Sequence, residues 1–309
     1  MKKVLVFATI CSLLIASAKA VYNPFVDGAK ADVCAHVVDD AGIPVKDAEV
    51  SLVFMTDAQK VSVAKGLSDA SGLYTAARDC TGEMRAWIRK EGYYDTETGM
   101  TLHEIQPAEV TVRTRHWSDK TIAMSFVLKR KRAPIKTVFH AVDFKPYPIT
   151  NAVLKLDLER LDWCPPYGKG RHDDMHLVFD GWRNPADWDD FHEHLKISFP
   201  NCVDGFYRLK VDQTSVFPYA YHAAQDAIYE KELALRNVHT RNGVTESKKL
   251  PADTYLVCRV RTQTNELGQV IHAHYGRIGE KFRQNIGLSI KSWFNAKDND
   301  TNLEDPRRQ

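Results

Sequence analysis

Three histidine-bearing segments hold the residue types most suited to chemistry. The densest is Arg171-His172-Asp173-Asp174-Met175-His176. Leading into a strand, His172, Asp174 and His176 would share one face at two-residue spacing. Imidazole and carboxylate donors suit zinc or a related divalent metal, whereas calcium asks for more oxygens. The bland alternative is a solvent-facing polar stripe opposite Met175, Leu177 and Phe179, which any half-buried strand produces. The second segment is His192-Glu193-His194. Its imidazoles share a face on a strand. On a helix, residues two apart stand about 200° apart and cannot chelate together. The third pair, His272 and His274, shares a face if it lies in a hairpin.

Aromatic residues give a separate binding signal. Trp163, Tyr167, Trp182 and Trp188 fall within 26 positions, among Pro165, Pro166, Gly168 and Gly170. Flat aromatic faces beside polar groups suit a sugar ring or a peptide. The competing expectation is that the tryptophans are core or buttress the Pro-Gly loop. Recognisable catalytic motifs are missing: there is no Gly-x-Ser-x-Gly, His-Glu-x-x-His, phosphate loop or dinucleotide fingerprint. The carboxylate pairs Asp173/Asp174 and Asp189/Asp190 are of a kind that any surface offers. Asn299-Asp300-Thr301 fits a glycosylation acceptor. No catalytic residue is assigned and no cofactor is expected, with zinc or a similar ion at His172, Asp174 and His176 as the one candidate.

These residues are embedded in a chain that reads as mainly β. From Ala31 to about Leu128, period-two alternation is interrupted by turn residues every 8–12 positions or so, the pattern of a β-sandwich. Asp39-Asp40-Ala41-Gly42-Ile43-Pro44 and Ser68-Asp69-Ala70-Ser71-Gly72 are the clearest turns. The segment from Met100 to Ser118 reads as a longer, polar inserted loop.

Three motifs in this half carry a resemblance. Asp39-x-x-Gly42-x-Pro44-Val45-x-x-Ala48-x-Val50-x-Leu52, then Ser68-Asp69-x-x-Gly72-x-Tyr74, then Arg89-Lys90-Glu91-Gly92-Tyr93 occur in order. Together they resemble the carboxypeptidase regulatory-like, transthyretin-like β-sandwich, over roughly a third of the chain. The resemblance implies a Greek-key sandwich serving as a non-catalytic accessory module on a secreted or surface protein.

The basic run Lys129-Arg130-Lys131-Arg132, closed by Ala133-Pro134, reads as a solvated linker or strand end, with a processing site as the sharper alternative. Thr137 to Val142 is β-like and fits either half. Beyond it, strands are expected around Val153–Leu158, Asp174–Phe179, Lys196–Phe199 and Phe206–Val211. A hairpin is expected from Tyr255–Gln263 and Val270–Ile278 around Asn265-Glu266-Leu267-Gly268, and a last strand at Ile286–Phe294. Two helices are predicted among them. Asn184-Pro185 supplies an N-cap and a first-turn proline before Trp188, Phe191 and Leu195. Ala224, Ala227, Ile228, Lys231 and Leu235 space as a helix from about Ala223 to Arg236. Asp162-Trp163-Cys164-Pro165-Pro166-Tyr167-Gly168-Lys169-Gly170 is similar to a motif of exported bacterial proteins to which no chemistry is attached.

Residues 1–20 have the layout of a secretory leader: Lys2 and Lys3, an apolar Val4–Ala18 and a small-x-small site ending at Ala20. Its removal takes Lys2, Lys3 and Lys19 from the 42 basic residues, leaving 39 against 40 acidic and a net charge near −1. That balance gives no electrostatic case for nucleic acid or an anionic membrane. No later stretch is apolar enough to span a membrane. Five cysteines follow the leader, with Cys34 and Cys80 able to bridge within the first half and an odd thiol left over. The expected organisation is a leader (1–20), the regulatory-like β-sandwich (21–132), a β-rich unit with two helices (133–295) and a flexible polar tail (296–309). The expected protein is secreted, periplasmic or at the cell surface, non-enzymatic, and in contact with a protein or carbohydrate partner. A metal-dependent hydrolase at the His172 cluster is the alternative.

Overall fold

The computed structural model describes residues 23, 27–57, 60–101, 115–118, 120–187, 189–211, 215, 217–241, 243, 245–284 and 288–305. The leader, residues 102–114 of the expected inserted loop, Trp188 and residues 306–309 lie outside the described residues. The described chain holds eighteen strands and no helices.

The first seven strands are β1 (Ala29–Asp39), β2 (Glu49–Asp57), β3 (Lys60–Leu67), β4 (Leu73–Cys80), β5 (Glu83–Arg89), β6 (Thr96–Thr101) and β7 (Ile122–Leu128). They form a three-stranded sheet, β4-β1-β7, and a four-stranded sheet, β3-β2-β5-β6. Only β1 and β7 pair in parallel; the other pairs are antiparallel. Alternation drives the packing. Val33, Ala35 and Val37 of β1 and Ile122, Met124 and Phe126 of β7 face Val50, Leu52, Phe54, Ala86 and Ile88 of the second sheet in one buried cluster. Each fully buried Val, Leu or Phe contributes about 1.5–3 kcal/mol relative to an exposed one.

The expected turns are present, and one loop design is used three times. The side chains of Asp39, Asp69 and Asn265 each accept from the N–H groups two and four residues on. The glycine three residues on takes positive φ, 77° at Gly42, 73° at Gly72 and 75° at Gly268. Gly72 is doubly constrained, because a Cβ there would lie 2.3 Å from the Val37 carbonyl oxygen. The third loop makes the predicted hairpin.

The following strands are β8 (Val138–Phe144), β9 (Val153–Asp157), β10 (Asp162–Trp163), β11 (Met175–Arg183), β12 (Phe191–Ser198), β13 (Gly205–Lys210), β14 (Glu232–His239), β15 (Thr245–Lys248), β16 (Thr254–Thr264), β17 (Val270–Gln284) and β18 (Leu288–Asn295). They make a six-stranded sheet, β10-β9-β11-β12-β14-β15, and a five-stranded sheet, β13-β16-β17-β18-β8. Leu154, Leu177, Leu195 and Leu235 of the first meet Leu256, Cys258, Ile278 and Phe294 of the second in a common core. The β-like segment after Pro134 therefore belongs to the second sandwich, as β8 on the edge beside β18.

Both predicted helices are strands and loops instead. At the first site, Asn184 does accept from the Ala186 N–H as a cap would, but the bond closes a turn, with Asn184 N–H donating to the Asp190 carbonyl. An N-cap and an Asx-turn use the same side-chain bond, so the sequence signal is shared. From Phe191 the chain runs extended as β12. At the second site residues 223–231 are irregular, with Ile228 89% exposed, and β14 begins at Glu232. Leu233 and Leu235 alternate into the core, and pairing with β12 overrides the helical preference of the alanines.

The expected linker and the expected loose tail form one seam. The five-stranded sheet is covered on its second face by Phe217, Tyr219, Ala223 and Leu303, joined by Tyr94 from the first sandwich, whose ring stacks on Phe217 at 4.7 Å. Glu304, 1% exposed, accepts from the Arg132 and Ala133 N–H groups at 2.9 and 2.8 Å and from the Tyr94 hydroxyl at 2.9 Å. Asp305 accepts from Thr137, and the Asn302 side chain donates to the Ala133 carbonyl. Residues 302–305 are thus buried, not frayed. The basic run is equally engaged. Arg130 pairs with Asp39 at 3.2 Å and Arg132 with Asp40 at 2.6 Å. Arg130, Lys131 and Arg132 lie over the rings of Tyr93, Tyr94 and Tyr221.

Candidate functional site

The outer face of the six-stranded sheet gathers the most chemistry. In the ladder between β11 and β12, Asp180 stands opposite His194 and Trp182 opposite His192. Strand alternation puts all four side chains on one face, while Leu177, Phe179, Leu195 and Ile197 point into the core. The two imidazole rings lie 4.1 Å apart, centroid to centroid. Asp180, His192 and His194 each offer a ligand atom, and these atoms lie within 4.8 Å of one another.

The electrostatics suit a neutral imidazole. His194 is held below the usual histidine range by burial, then by His192 and Arg236, against the opposing pull of Asp180 and Glu246. Arg236 is itself paired with Glu246 at 2.8 Å. The buried Nε2 of His194 has no hydrogen-bond partner. Between the two histidines the strand alternates inward, so Glu193 is buried, taking contacts from Arg183 at 3.5 Å and Asn237 at 3.3 Å. Trp182, 53% exposed, lies beside this cluster.

A second group lies on β17, close to the turn of the β16–β17 hairpin. His272 Nδ1 meets the Asp298 carboxylate at 2.8 Å, and His274 completes a set of the same composition. His274 packs on Phe294, and burial, then Arg261, depresses its pKa against Asn295 and Asp298. The Asn299 amide is already committed here, donating to the Ile271 carbonyl and accepting from the Ala273 N–H.

The cluster expected at residues 172–176 does not assemble. Extended structure starts at Met175, so the two-residue alternation does not reach back to His172. Asp174 is 1% exposed and accepts both Nε and Nη2 of Arg261 at 2.9 Å, with the Leu158 N–H as a third donor. His176 faces outward and pairs with Asp173 at 2.8 Å, while the His172 side chain is exposed. This segment is structural. Arg261, at φ 57° in a bulge of β16, also binds Glu159 at 2.7 Å. Burial would lower its pKa, and Asp174 and Glu159 reverse that. Asp157 accepts from the Arg171, Arg160 and His172 N–H groups. These bonds, with Arg261, outweigh burial and hold its carboxyl below the usual range. No sequence signal marked Arg261, whose partners lie 87 and 102 residues away.

The aromatic group does not converge either. Trp163 is buried, with its ring 4.4 Å from Phe144. The ladders set Trp163, Leu156 and Met175 abreast. Trp182 is seven residues further along β11, about 23 Å at ~3.3 Å per residue. Tyr167, 42% exposed, stays with the Trp163 loop. Cys34 and Cys80 do not bridge: Cys34 lies half-buried opposite Thr75, and Cys80 lies buried opposite Ala29, five rungs away. That separation is about 16 Å, against the ~7 Å limit for a disulfide. All five described cysteines are free thiols, with Cys202 exposed.

No family model matches the chain, and no curated protein matches its sequence. Among solved structures, the chain is similar over 34% of its length to 3-chlorocatechol 1,2-dioxygenase from Rhodococcus opacus 1CP, at 16% identity and a TM-score of 0.26. It is similar over 91% of its length to a streptococcal ancillary pilin, at 11% identity and TM-score 0.23. It is similar over 90% to the D295N mutant of the shaft pilin SpaA from Lactobacillus rhamnosus GG, at 9% identity and TM-score 0.22. The matches cover 61%, 64% and 95% of those chains, so this chain spans less than two thirds of the dioxygenase and of the ancillary pilin. Scores at this level define neither fold nor function for the chain. Its class is given by its own sheets: a mainly β protein of two sandwiches. No helix among the described residues is long and apolar enough to cross a membrane.

Proposed function

We propose that this is a non-enzymatic structural or binding protein, exported by its leader to the periplasm or cell surface. Its first sandwich is a regulatory-like, transthyretin-like support module. Its second presents the face that meets a protein or carbohydrate partner, with exposed Trp182 as a contact residue. The observation that carries this reading is the seam. The sandwiches meet through the buried Glu304 carboxylate, which accepts from the Arg132 and Ala133 N–H groups and the Tyr94 hydroxyl, and through Arg132 lying over the Tyr221 ring. A protein that transmits load or displays a surface needs such a joint. Against the alternative hydrolase, both carboxylate oxygens of Asp174 accept from Arg261.

The test combines location with closure of that joint. Produced with its own leader, the chain should be recovered outside the cytoplasm with Val21 as its first residue. Trypsin under native conditions should leave the Lys129–Arg132 run uncut. Retention in the cytoplasm with residues 1–20 intact, or rapid cleavage at the run, would refute the reading.

A further inference from the structure

We propose that Asp180, His192 and His194 form a binding site for one divalent transition-metal ion of the zinc class. Zinc takes imidazole nitrogen and carboxylate oxygen at about 2.0–2.2 Å, so tetrahedral ligand atoms stand roughly 3.3–3.5 Å apart. The three ligand atoms already lie within 4.8 Å of one another on a rigid two-stranded ladder, so small side-chain rotations close the site. Two imidazoles and one carboxylate favour zinc, nickel or copper over calcium and magnesium, which prefer all-oxygen shells.

Three features distinguish this group from a chance surface cluster. The buried Nε2 of His194 has no protein partner. The nearby cation, Arg236, is neutralised by Glu246. The carboxylate of Asp180 is exposed and available, whereas the Asp298 carboxylate of the second cluster is engaged by His272 at 2.8 Å. Three protein ligands leave at least one position open on the solvent side, beside the exposed ring of Trp182. That position accepts water or a donor brought by a partner.

The experiment uses the full mature chain, stripped with chelator and titrated calorimetrically with zinc chloride alone. One equivalent is expected to bind at this site. His192→Ala/His194→Ala should abolish that equivalent, and His272→Ala should leave it in place. Both rings lie on the outer face, so the double variant should keep its circular dichroism spectrum. Asp180→Asn, an isosteric change at an exposed residue, guards against misfolding. It should weaken binding by at least the 10–100-fold that loss of an outer-shell partner costs, roughly. Cobalt(II) bound in place of zinc should give visible absorption bands that the double variant lacks. Zinc uptake unchanged in both variants, uptake abolished by His272→Ala alone, or no uptake by the wild type would each overturn the proposal.

Discussion

Glu304 is the residue whose replacement should most directly open the seam. Its carboxylate receives three hydrogen bonds, from the Arg132 and Ala133 N–H groups and from the Tyr94 hydroxyl, at 2.8–2.9 Å. In Glu304→Gln, one acceptor oxygen becomes an NH2 group facing a donor. A hydrogen bond to a charged group contributes about 1.5–3 kcal/mol, and a buried donor left without a partner costs about 1–3 kcal/mol. The bonds share one carboxylate and do not add, so the cost is about 3 kcal/mol, at the low end for breaking a buried charged network. Each sandwich retains its own core, so the loss should appear as opening of the seam rather than as global unfolding. At about 1.4 kcal/mol per factor of ten, the open population should rise by about 100-fold. Limited trypsinolysis reads this directly, because Lys129–Arg132 offers four consecutive cleavage sites. Where opening and closing outpace cleavage, the rate follows the open population. Mass spectrometry should show cuts in the run about 100-fold faster in Glu304→Gln. Tyr94→Phe removes one donor only and should give roughly a tenfold rise, corresponding to ~1.5 kcal/mol, the low end for a hydrogen bond to a charged group. A Glu304→Gln rate within about 2–3-fold of wild type, the effect of an ordinary surface change of ~0.5 kcal/mol, would refute the account of the seam.

Acid should destabilise the fold through carboxylates whose pKa is depressed in the native state. At Asp157 burial pulls upward, but backbone N–H groups and Arg261 prevail. At Asp39 burial is likewise outweighed, by Ile43 and Ala41 N–H groups and Arg130. A depressed folded pKa gives stability that is complete above the unfolded value near 3.9 and lost as pH falls through the folded pKa. Urea midpoints should therefore fall below about pH 4, and Asp157→Asn should reduce that dependence. Asp204, raised chiefly by burial, works in the opposite direction, adding stability as pH falls from its folded pKa towards the unfolded value. Thiol labelling should find Cys202 fast, Cys34 slower, and Cys80, Cys164 and Cys258 protected, since burial raises the last three. Equal labelling of all five, or a Cys34–Cys80 bridge by peptide mapping, would contradict the strand register. Trp163→Ala should cost about 3–5 kcal/mol in chemical denaturation, and Trp182→Ala less than about 1. Similar costs for the two would contradict their placement.

The legible part of the fold was local. Asp39, Asp69 and Asn265 announce their loops because a side-chain acceptor, two intervening residues and a glycine build the turn without outside help. Alternation in residues 31–37 and 175–179 announces strands for the same reason. Neither the seam nor the Arg261 network leaves a local trace. Glu304 looks like a tail residue until residues 132 and 133 stand beside it, about 170 positions away in sequence. The basic run looks solvated until aromatic rings and Asp39 and Asp40 are placed against it. Charge runs and polar ends report composition, and burial is decided by distant partners.

The misread helix at residues 185–195 shows how a secondary-structure error propagates into chemistry. His192 and His194 fall on opposite sides of a helix and on the same side of a strand. The Asn-Pro signal favours a helix, on which the two imidazoles cannot chelate together. The opposite error concerns His172: a shared face with His176 needs a strand that starts three residues earlier than Met175, and Asp174 between them turns inward. Both mistakes concern where a two-residue period begins. The apolar partners settle it: Leu195 and Ile197 fix the inward phase of β12, and Met175, Leu177 and Phe179 that of β11. With those phases set, Asp180, Trp182, His192 and His194 must face outward together, and Asp174, ahead of the strand, is left to Arg261.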